Sequence, residues 1–179
     1  MNFAPGDKLT AAQQARVDEV AAEALGVDEA ALLDHFRIPY TFSGPATLAC
    51  SLNKAFAKRI VRDAGVETSP FHIVYSPADI RKVHLNYPLF AKPVSEGTGK
   101  GIDRQSVIHT TEELFEVCDR LLTDFMQPVL VEEFLPGREF TVGVIGNGND
   151  AWVPGAMEIR YIKKGEHIYS YENKENFEE

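Results

Sequence analysis

A glycine-rich segment over residues 95–101, called the glycine loop below, combines residue types that can hold a phosphate. Glycine occupies every second position from Gly97 to Gly101, with Thr98 and Lys100 between. Because glycine has no side chain to block an approach, successive amides of such a loop can turn toward an anion and form a nest. The loop matches neither the P-loop nor the dinucleotide fingerprint, so a flexible hairpin tip stays open as the alternative.

Charged residues on two predicted strands could bind the remainder of a nucleotide. Lys92 ends the strand before the glycine loop, so its ammonium group would point at the same phosphates. Glu132 and Glu133 precede the aromatic–apolar pair Phe134-Leu135. A carboxylate can accept hydrogen bonds from an exocyclic amine or from ribose hydroxyls, and main-chain groups at the apolar pair can read a base edge. The alternative is an edge strand with solvated acids, and these residues alone favour neither interpretation.

The other reactive residue types form no recognisable site. Lys54 and Lys58 share a face of a predicted helix because they stand four positions apart, although taken singly they are ordinary solvated lysines. The five histidines are scattered, so none is interpreted as a base or a ligand, and no metal site is predicted. Cys50 and Cys118 are far apart in sequence, which argues against a disulfide framework or a zinc cage and favours the cytoplasm.

The composition narrows the kinds of partner that the chain can have. Its 179 residues include 18 basic and 27 acidic side chains, for a net charge of −9. An acidic total argues against nucleic acid or anionic membrane as a partner, because both need a basic surface. No stretch approaches the roughly 20 apolar residues that span a bilayer, and no secretory signal is visible. A small anionic ligand held by a few local lysines remains compatible with this charge.

The order of predicted elements favours an α+β fold over a doubly wound sheet, since helices come first and strands and helices then mix. Helices are predicted over residues 10–25, after Asp28 and over residues 47–64. Strands are predicted at residues 71–75, 87–93, 129–135, 139–145 and 157–162. A further helix begins at the Thr110-Thr-Glu-Glu113 motif, and its buried stripe is Leu114, Val117, Cys118, Leu121 and Leu122.

Seven motifs, in this order and spacing, resemble the ATP-grasp superfamily and most closely its D-alanine–D-alanine ligases. The resemblance runs from Ile38 to the last residue. The motifs are Ile38-Pro-Tyr-Thr41 with Ser43-Gly44; Asn53-Lys54-Ala-Phe-Ala-Lys58; Gly65-Val66; Tyr87-Pro-Leu-Phe-Ala-Lys92-Pro93 with Ser95-Glu96-Gly97; Val129-Leu-Val-Glu132-Glu133-Phe134; Pro136-Gly-Arg-Glu139-Phe-Thr-Val-Gly-Val-Ile-Gly146; and Tyr169-Ser-Tyr-Glu-Asn-Lys174.

The resemblance implies an α+β ATP-grasp fold, incomplete at both ends, with ATP between two small lobes. Residues 1–46 would be the remnant of an N-terminal domain, residues 47–130 the central lobe and residues 131–179 the first part of the C-terminal lobe. Lys92 and Lys174 are then the catalytic residues. The residues that would bind ATP are Lys54, Lys92 and Lys174 at the phosphates; Glu96, Gly97, Thr98, Gly99 and Gly101 in a lid over the β- and γ-phosphates; Glu132, with the backbone of Glu133, Phe134 and Leu135, at adenine; and Glu139 at the ribose.

The implied reaction is the ATP-dependent joining of a carboxylate to an amine through an acyl phosphate, as in the synthesis of peptidoglycan precursors. The substrate would be an amino acid, and a homodimer of the full-length protein is left open. The Mg²⁺ ligands are expected in a segment absent from this chain, so the chain alone should not turn over. Thr98-Gly99-Lys100 and Glu175 depart from the usual ligase motifs. A ligase for another amino acid, or a non-catalytic nucleotide-binding module, is therefore the alternative.

Overall fold

The computed structural model describes residues 29–97 and 99–160. The chain divides into two compact units, residues 1–64 and residues 65–179. The helix predicted over residues 10–25, the motif at residues 169–174 and Thr98 lie outside the described residues. Among the described helices, none combines the length and the apolar character that crossing a membrane requires.

The first unit contains three described helices, and one sequence prediction is wrong there. They are α1 (Glu29–His35), α2 (Pro45–Leu52) and α3 (Lys54–Asp63), whereas the sequence predicted a single helix over residues 47–64. The break lies at Asn53, whose Oδ1 accepts hydrogen bonds from the amides of Ala55 and Phe56 at 3.0 and 3.1 Å. An asparagine side chain competes for backbone amides in this way and starts a new helix.

Replacing Asn53 by alanine removes this cap and should lower the free energy of unfolding by about 1 kcal/mol. Urea denaturation followed by circular dichroism measures the change. Asn147→Ala is the matched control, because Asn147 precedes a 3-10 turn without a side-chain capping hydrogen bond. An equal loss in both variants would contradict the role of the Asn53 cap.

The second unit is built on a four-stranded antiparallel sheet with the order β1-β4-β2-β3. The strands of this sheet are β1 (Phe71–Val74), β2 (Leu89–Pro93), β3 (Val107–Ile108) and β4 (Val129–Glu133). The helices of the unit are α4 (Pro77–Ile80) and α5 (Thr111–Phe125). A separate hairpin comprises β5 (Glu139–Val142) and β6 (Ala156–Ile159). The mixture of helices with antiparallel strands confirms the α+β prediction.

One face of the sheet, called the core face, packs against α5. Thr110 caps this helix, as predicted, and its Oγ1 accepts a hydrogen bond from the Glu113 amide at 3.2 Å. The predicted stripe is correct, since four of its five members are buried and Leu122 packs partly buried against them. The cluster contains Val74, Leu89, Ala91, Ile108, Val129 and Val131 from the sheet and Leu114, Val117, Cys118 and Leu121 from α5. Burial raises the pKa of the Cys118 thiol to about 12, which keeps this thiol protonated and unreactive.

The opposite face of the sheet, called the ligand face, carries two of the residues that the sequence singled out, Lys92 and Glu132. Side chains alternate along a strand, so Phe90 and Lys92 point away from Ala91 and the core face. The register pairs Phe90 with Glu132 and Lys92 with Leu130. β4 is paired to β1 and to β2, and the predicted lobe boundary at residues 130 and 131 falls inside it. The three-part domain division stays a prediction.

Candidate functional site

An ion pair between the two central strands lies on the ligand face. Lys92 Nζ is 2.6 Å from Glu132 Oε1, and the two side chains are only 21% and 12% exposed. The ammonium group also lies 5.5 Å from the centre of the Phe90 ring. Opposite charges at such a distance offset much of the cost of removing each from water. The structure therefore brings together the predicted phosphate ligand and the predicted base ligand.

Apolar side chains surround this ion pair. The Phe90 and Phe134 rings are stacked, with centres 6.1 Å apart and an interplanar angle of 26°. Leu130 is fully buried, and the register places Phe71 opposite Glu132 on the same face. An apolar, aromatic surface with one carboxylate and one ammonium group is suited to a flat heteroaromatic ring that carries an anionic tail.

The backbone that follows β4 is held by neighbouring segments. The Glu133 amide donates to the Pro70 carbonyl at 3.0 Å, and the Phe134 amide donates to the Pro88 carbonyl at 2.9 Å. Within the described residues, the Leu135 amide has no hydrogen-bond acceptor. A fixed strand end with one unused donor can pair with an acceptor nitrogen on the edge of a base.

Two side chains that sequence reasoning missed fix Glu133. The buried Ser69 hydroxyl donates to the Glu133 carbonyl at 2.5 Å, and this oxygen keeps a second lone pair. The Glu133 carboxylate accepts from the Asn86 amide and from the Asn86 side chain at 2.9 and 2.8 Å. The Glu133 side chain therefore holds the segment before β2, while its main chain remains in position for a ligand.

Two backbone hydrogen bonds are described within and just after the glycine loop. Lys100 N donates to the Gly97 carbonyl at 3.1 Å, and Ile102 N donates to the Gly99 carbonyl at 3.0 Å. Gly101 has φ +74° and lies against the core, where an added Cβ would come within 2.7 Å of Pro93 and 2.9 Å of Phe125. The glycine loop therefore follows the strand that carries Lys92 on the ligand face, and it returns to the core at Gly101.

The segment after the glycine loop is tied to α5. Asp103 Oδ1 accepts from the Gln105 amide at 2.8 Å, and Asp103 Oδ2 lies 3.1 Å from Arg120 Nη2. The Asp103 amide in turn donates to the Ser106 hydroxyl at 3.1 Å. These contacts fix the end of the loop independently of its tip. At the start of the loop, Gln127 contacts both Ser95 and Glu96, and no local sequence pattern indicated that role.

The described structure does not test the roles of three predicted site residues. Lys54 is the first residue of α3 in the first unit. Glu139 lies on the hairpin, opposite Ile159 and with an exposed side chain. Lys174 lies outside the described residues. Their roles stay predictions, together with the role of Thr98.

The hairpin that contains Glu139 also has an ion pair at its open end. Arg138 bonds Glu158 through two nitrogens, at 2.7 and 3.1 Å, and its guanidinium lies 4.8 Å from the centre of the Phe140 ring. Arg138 lowers the pKa of the Glu158 carboxyl mainly by hydrogen bonding.

Over residues 29–97 and 99–160, no three histidine, cysteine or carboxylate side chains lie close enough together to hold a metal ion.

The comparisons with known proteins agree in fold and family. The sequence profile described as "D-ala D-ala ligase C-terminus" matches residues 60–179. The chain is 34% identical over 144 residues to a D-alanine–D-alanine ligase of Aquifex aeolicus, covering 80% of this chain and 46% of that protein. For the corresponding ligase of Bordetella avium, the identity is 32%, with coverage of 79% and 43%.

Solved structures with a similar fold include a D-alanine–D-alanine ligase from Helicobacter pylori. Its TM-score is 0.60 at 20% identity, with 78% of this chain and 44% of that chain covered. An L-amino acid ligase from Bacillus licheniformis has a TM-score of 0.58 at 22% identity, covering 82% and 36%. The chain thus spans less than half the length of these relatives, and it has the predicted ATP-grasp fold. Because the family profile covers well over half of its residues, the chain belongs to the family of D-alanine–D-alanine ligase C-terminal domains.

Proposed function

We propose that this chain forms the ATP-binding part of a D-alanine–D-alanine ligase-like enzyme. The observation that carries the proposal is the ion pair between Lys92 and Glu132, which lies beside an apolar surface and next to the glycine loop. The chain spans less than half of the length of its relatives. We therefore also propose, for the longer protein, the complete reaction and an amino-acid substrate.

The adenine of ATP fits the pattern of donors and acceptors at the end of β4. The Leu135 amide would donate to the ring nitrogen N1, and the Glu133 carbonyl would accept from the exocyclic amine. Glu132 would accept a further hydrogen bond from that amine, while the Phe90 and Phe134 rings provide the apolar wall. Ser69 supports this geometry because its hydroxyl orients the Glu133 carbonyl.

The triphosphate would extend from Lys92 under the glycine loop. The Lys92 ammonium group neutralises part of its charge, and the loop backbone, including Glu96, Gly97, Gly99 and Gly101, covers the β- and γ-phosphates. Lys54 and Lys174 would contribute further ammonium groups, and Glu139 would accept from the ribose. Positioning and charge stabilisation of this kind are the main protein contributions to phosphoryl transfer.

In the proposed reaction, ATP phosphorylates a carboxylate, and an amine attacks the acyl phosphate with release of phosphate. Closure of the glycine loop would exclude water from that mixed anhydride. Bound Mg²⁺ would neutralise phosphate charge. We assign its ligands to a segment of the protein that lies outside this chain. We place the reaction in the cytoplasm, in the synthesis of peptidoglycan precursors. An amino-acid screen of the longer protein decides between D-alanine and another substrate.

Binding of nucleotides to the chain tests this proposal directly. Isothermal titration calorimetry should show saturable ATP binding, with GTP weaker by about tenfold or more, because guanine inverts the donor and acceptor at both edge positions. Ser69→Ala should reduce this preference, whereas Ser51→Ala, in α2 of the first unit, should not. The absence of ATP binding, or equal binding of ATP and GTP, would contradict the proposed adenine site.

A further inference from the structure

A single side chain, Gln127, holds the first two residues of the glycine loop. Its Oε1 accepts a hydrogen bond from the Ser95 amide at 2.7 Å, and its Nε2 donates to Glu96 Oε1 at 2.8 Å. All three residues are half-buried. One amide side chain therefore fixes both the main chain at the start of the loop and the direction of an acidic side chain within it.

The end of α5 places Gln127 against the loop. Met126 ends the helix in the left-handed conformation, with φ 49° and ψ 37°, and its amide donates to the Leu122 carbonyl at 3.1 Å. Pro128 cannot extend the helix, and its carbonyl accepts from the Val94 amide at 3.0 Å. The main chain directly after Gln127, at Pro128, is thus hydrogen-bonded to Val94, the residue that precedes the glycine loop.

The carboxylate of Glu96 presents an electrostatic difficulty for a loop that covers a triphosphate. Like charges repel strongly in a site with little water, so an acidic side chain turned toward the phosphates would oppose ATP binding. Glu96 is instead bonded to Gln127, which follows α5, the helix that packs on the core face, whereas Lys92 lies on the ligand face.

We propose that Gln127 is a positioning residue for phosphate binding, which ties Glu96 to the end of α5 and presents the loop amides to the β- and γ-phosphates. This inference rests on the proposed function, since it concerns the lid over the phosphates of ATP. Gln127 itself does not contact the nucleotide. Its loss should therefore affect ATP and ADP but not AMP, which lacks the phosphates that the loop covers.

The test compares Gln127→Ala with a matched control, Gln105→Ala, in the full chain. Gln105 is exposed, and within the described residues its side chain makes no hydrogen bond. Calorimetry should show about tenfold weaker ATP binding for Gln127→Ala, an AMP affinity within twofold of the original chain, and no change for Gln105→Ala. An equal loss of ATP and AMP, or unchanged ATP binding, would overturn the inference.

Amide hydrogen exchange measured without nucleotide tests whether Gln127 orders the glycine loop, independently of whether the chain binds ATP. Gln127→Ala should speed amide exchange over residues 95–101, and Gln105→Ala should not. If the original chain binds no ATP, the proposed function fails and the nucleotide role of Gln127 fails with it, while the exchange data still show whether Gln127 orders the loop. If the original chain binds ATP and Gln127→Ala binds it equally well, only the inference fails.

Two further variants distinguish the two hydrogen bonds of Gln127. Gln127→Glu keeps an acceptor for Ser95 but places a second carboxylate against Glu96, so ATP binding should weaken at least as much as in Gln127→Ala. In a Glu96→Gln background, adding Gln127→Ala should weaken ATP binding by less than about threefold, because the repelling charge is gone. Normal ATP binding by Gln127→Glu, or a full tenfold loss in the Glu96→Gln background, would show that Glu96 plays no part.

Discussion

Replacing Lys92 by alanine should weaken ATP binding about 100-fold, the largest loss that we expect from a single side chain. The Lys92 side chain is only 21% exposed and lies on β2, shortly before the glycine loop, where a phosphate would meet the ammonium group with little competing water. Isothermal titration calorimetry of the full chain measures the change. Lys58→Ala on α3 is the matched control and should stay within twofold of the original affinity.

Lys92→Ala should also lower the stability of the folded chain, in addition to weakening ATP binding. It removes the positive charge 2.6 Å from a carboxylate that is only 12% exposed, and breaking a buried ion pair costs about 3 kcal/mol or more. The double variant Lys92→Met with Glu132→Gln should regain most of this stability in urea denaturation, because no buried charge remains. Its ATP affinity should remain low, because the phosphate ligand is still missing.

Adenosine binding shows whether Lys92 contributes to binding of the phosphates or of the base. A phosphate ligand predicts that Lys92→Ala weakens ATP binding far more than adenosine binding. Equal losses for both ligands would mean that Lys92 acts only through Glu132 at the base, and the proposed position of the triphosphate would then be wrong. Lys92→Arg keeps the charge and should lie between alanine and the original chain.

Local sequence patterns predicted the elements that carry the site. Aromatic and β-branched residues identified the strand that became β1, and the strands that became β2 and β4 were also predicted. The stripe from Leu114 to Leu121 identified the buried side of α5. These predictions succeed because alternation and helical periodicity are properties of neighbouring residues. The interruption at Asn53 was missed because the surrounding residues keep a helical pattern while one side chain captures two amides.

Contacts between distant residues could not be predicted in the same way. Ser69 and Glu133 are 64 positions apart, and Gln127 and Glu96 are 31 positions apart. Their meeting depends on the strand order β1-β4-β2-β3, which places β4 between β1 and β2. A serine before a proline, or a glutamine after a helix, has no local signature of such a role. The resemblance to a family indicated the proposed nucleotide-binding residues, but not the side chains that hold them in place.

Gly101→Ala should lower the free energy of unfolding by about 3 kcal/mol, the largest effect on stability that we expect at the loop. The added Cβ would approach Pro93 Cγ to 2.7 Å, Pro93 Cδ to 2.8 Å and Phe125 Cζ to 2.9 Å, and φ of +74° already disfavours alanine. The proline ring is buried at the end of β2, so it cannot move aside without disturbing the core face.

Gly137→Ala is the control, because nothing lies within 4 Å of the Cβ that it would add and its φ is not in the left-handed range. Urea denaturation should show little change for this variant and a large loss for Gly101→Ala. If Gly101→Ala retains full stability but loses ATP binding, Gly101 is needed for the loop conformation alone. If it retains both, the close approach of Gly101 to Pro93 and Phe125 does not anchor the loop.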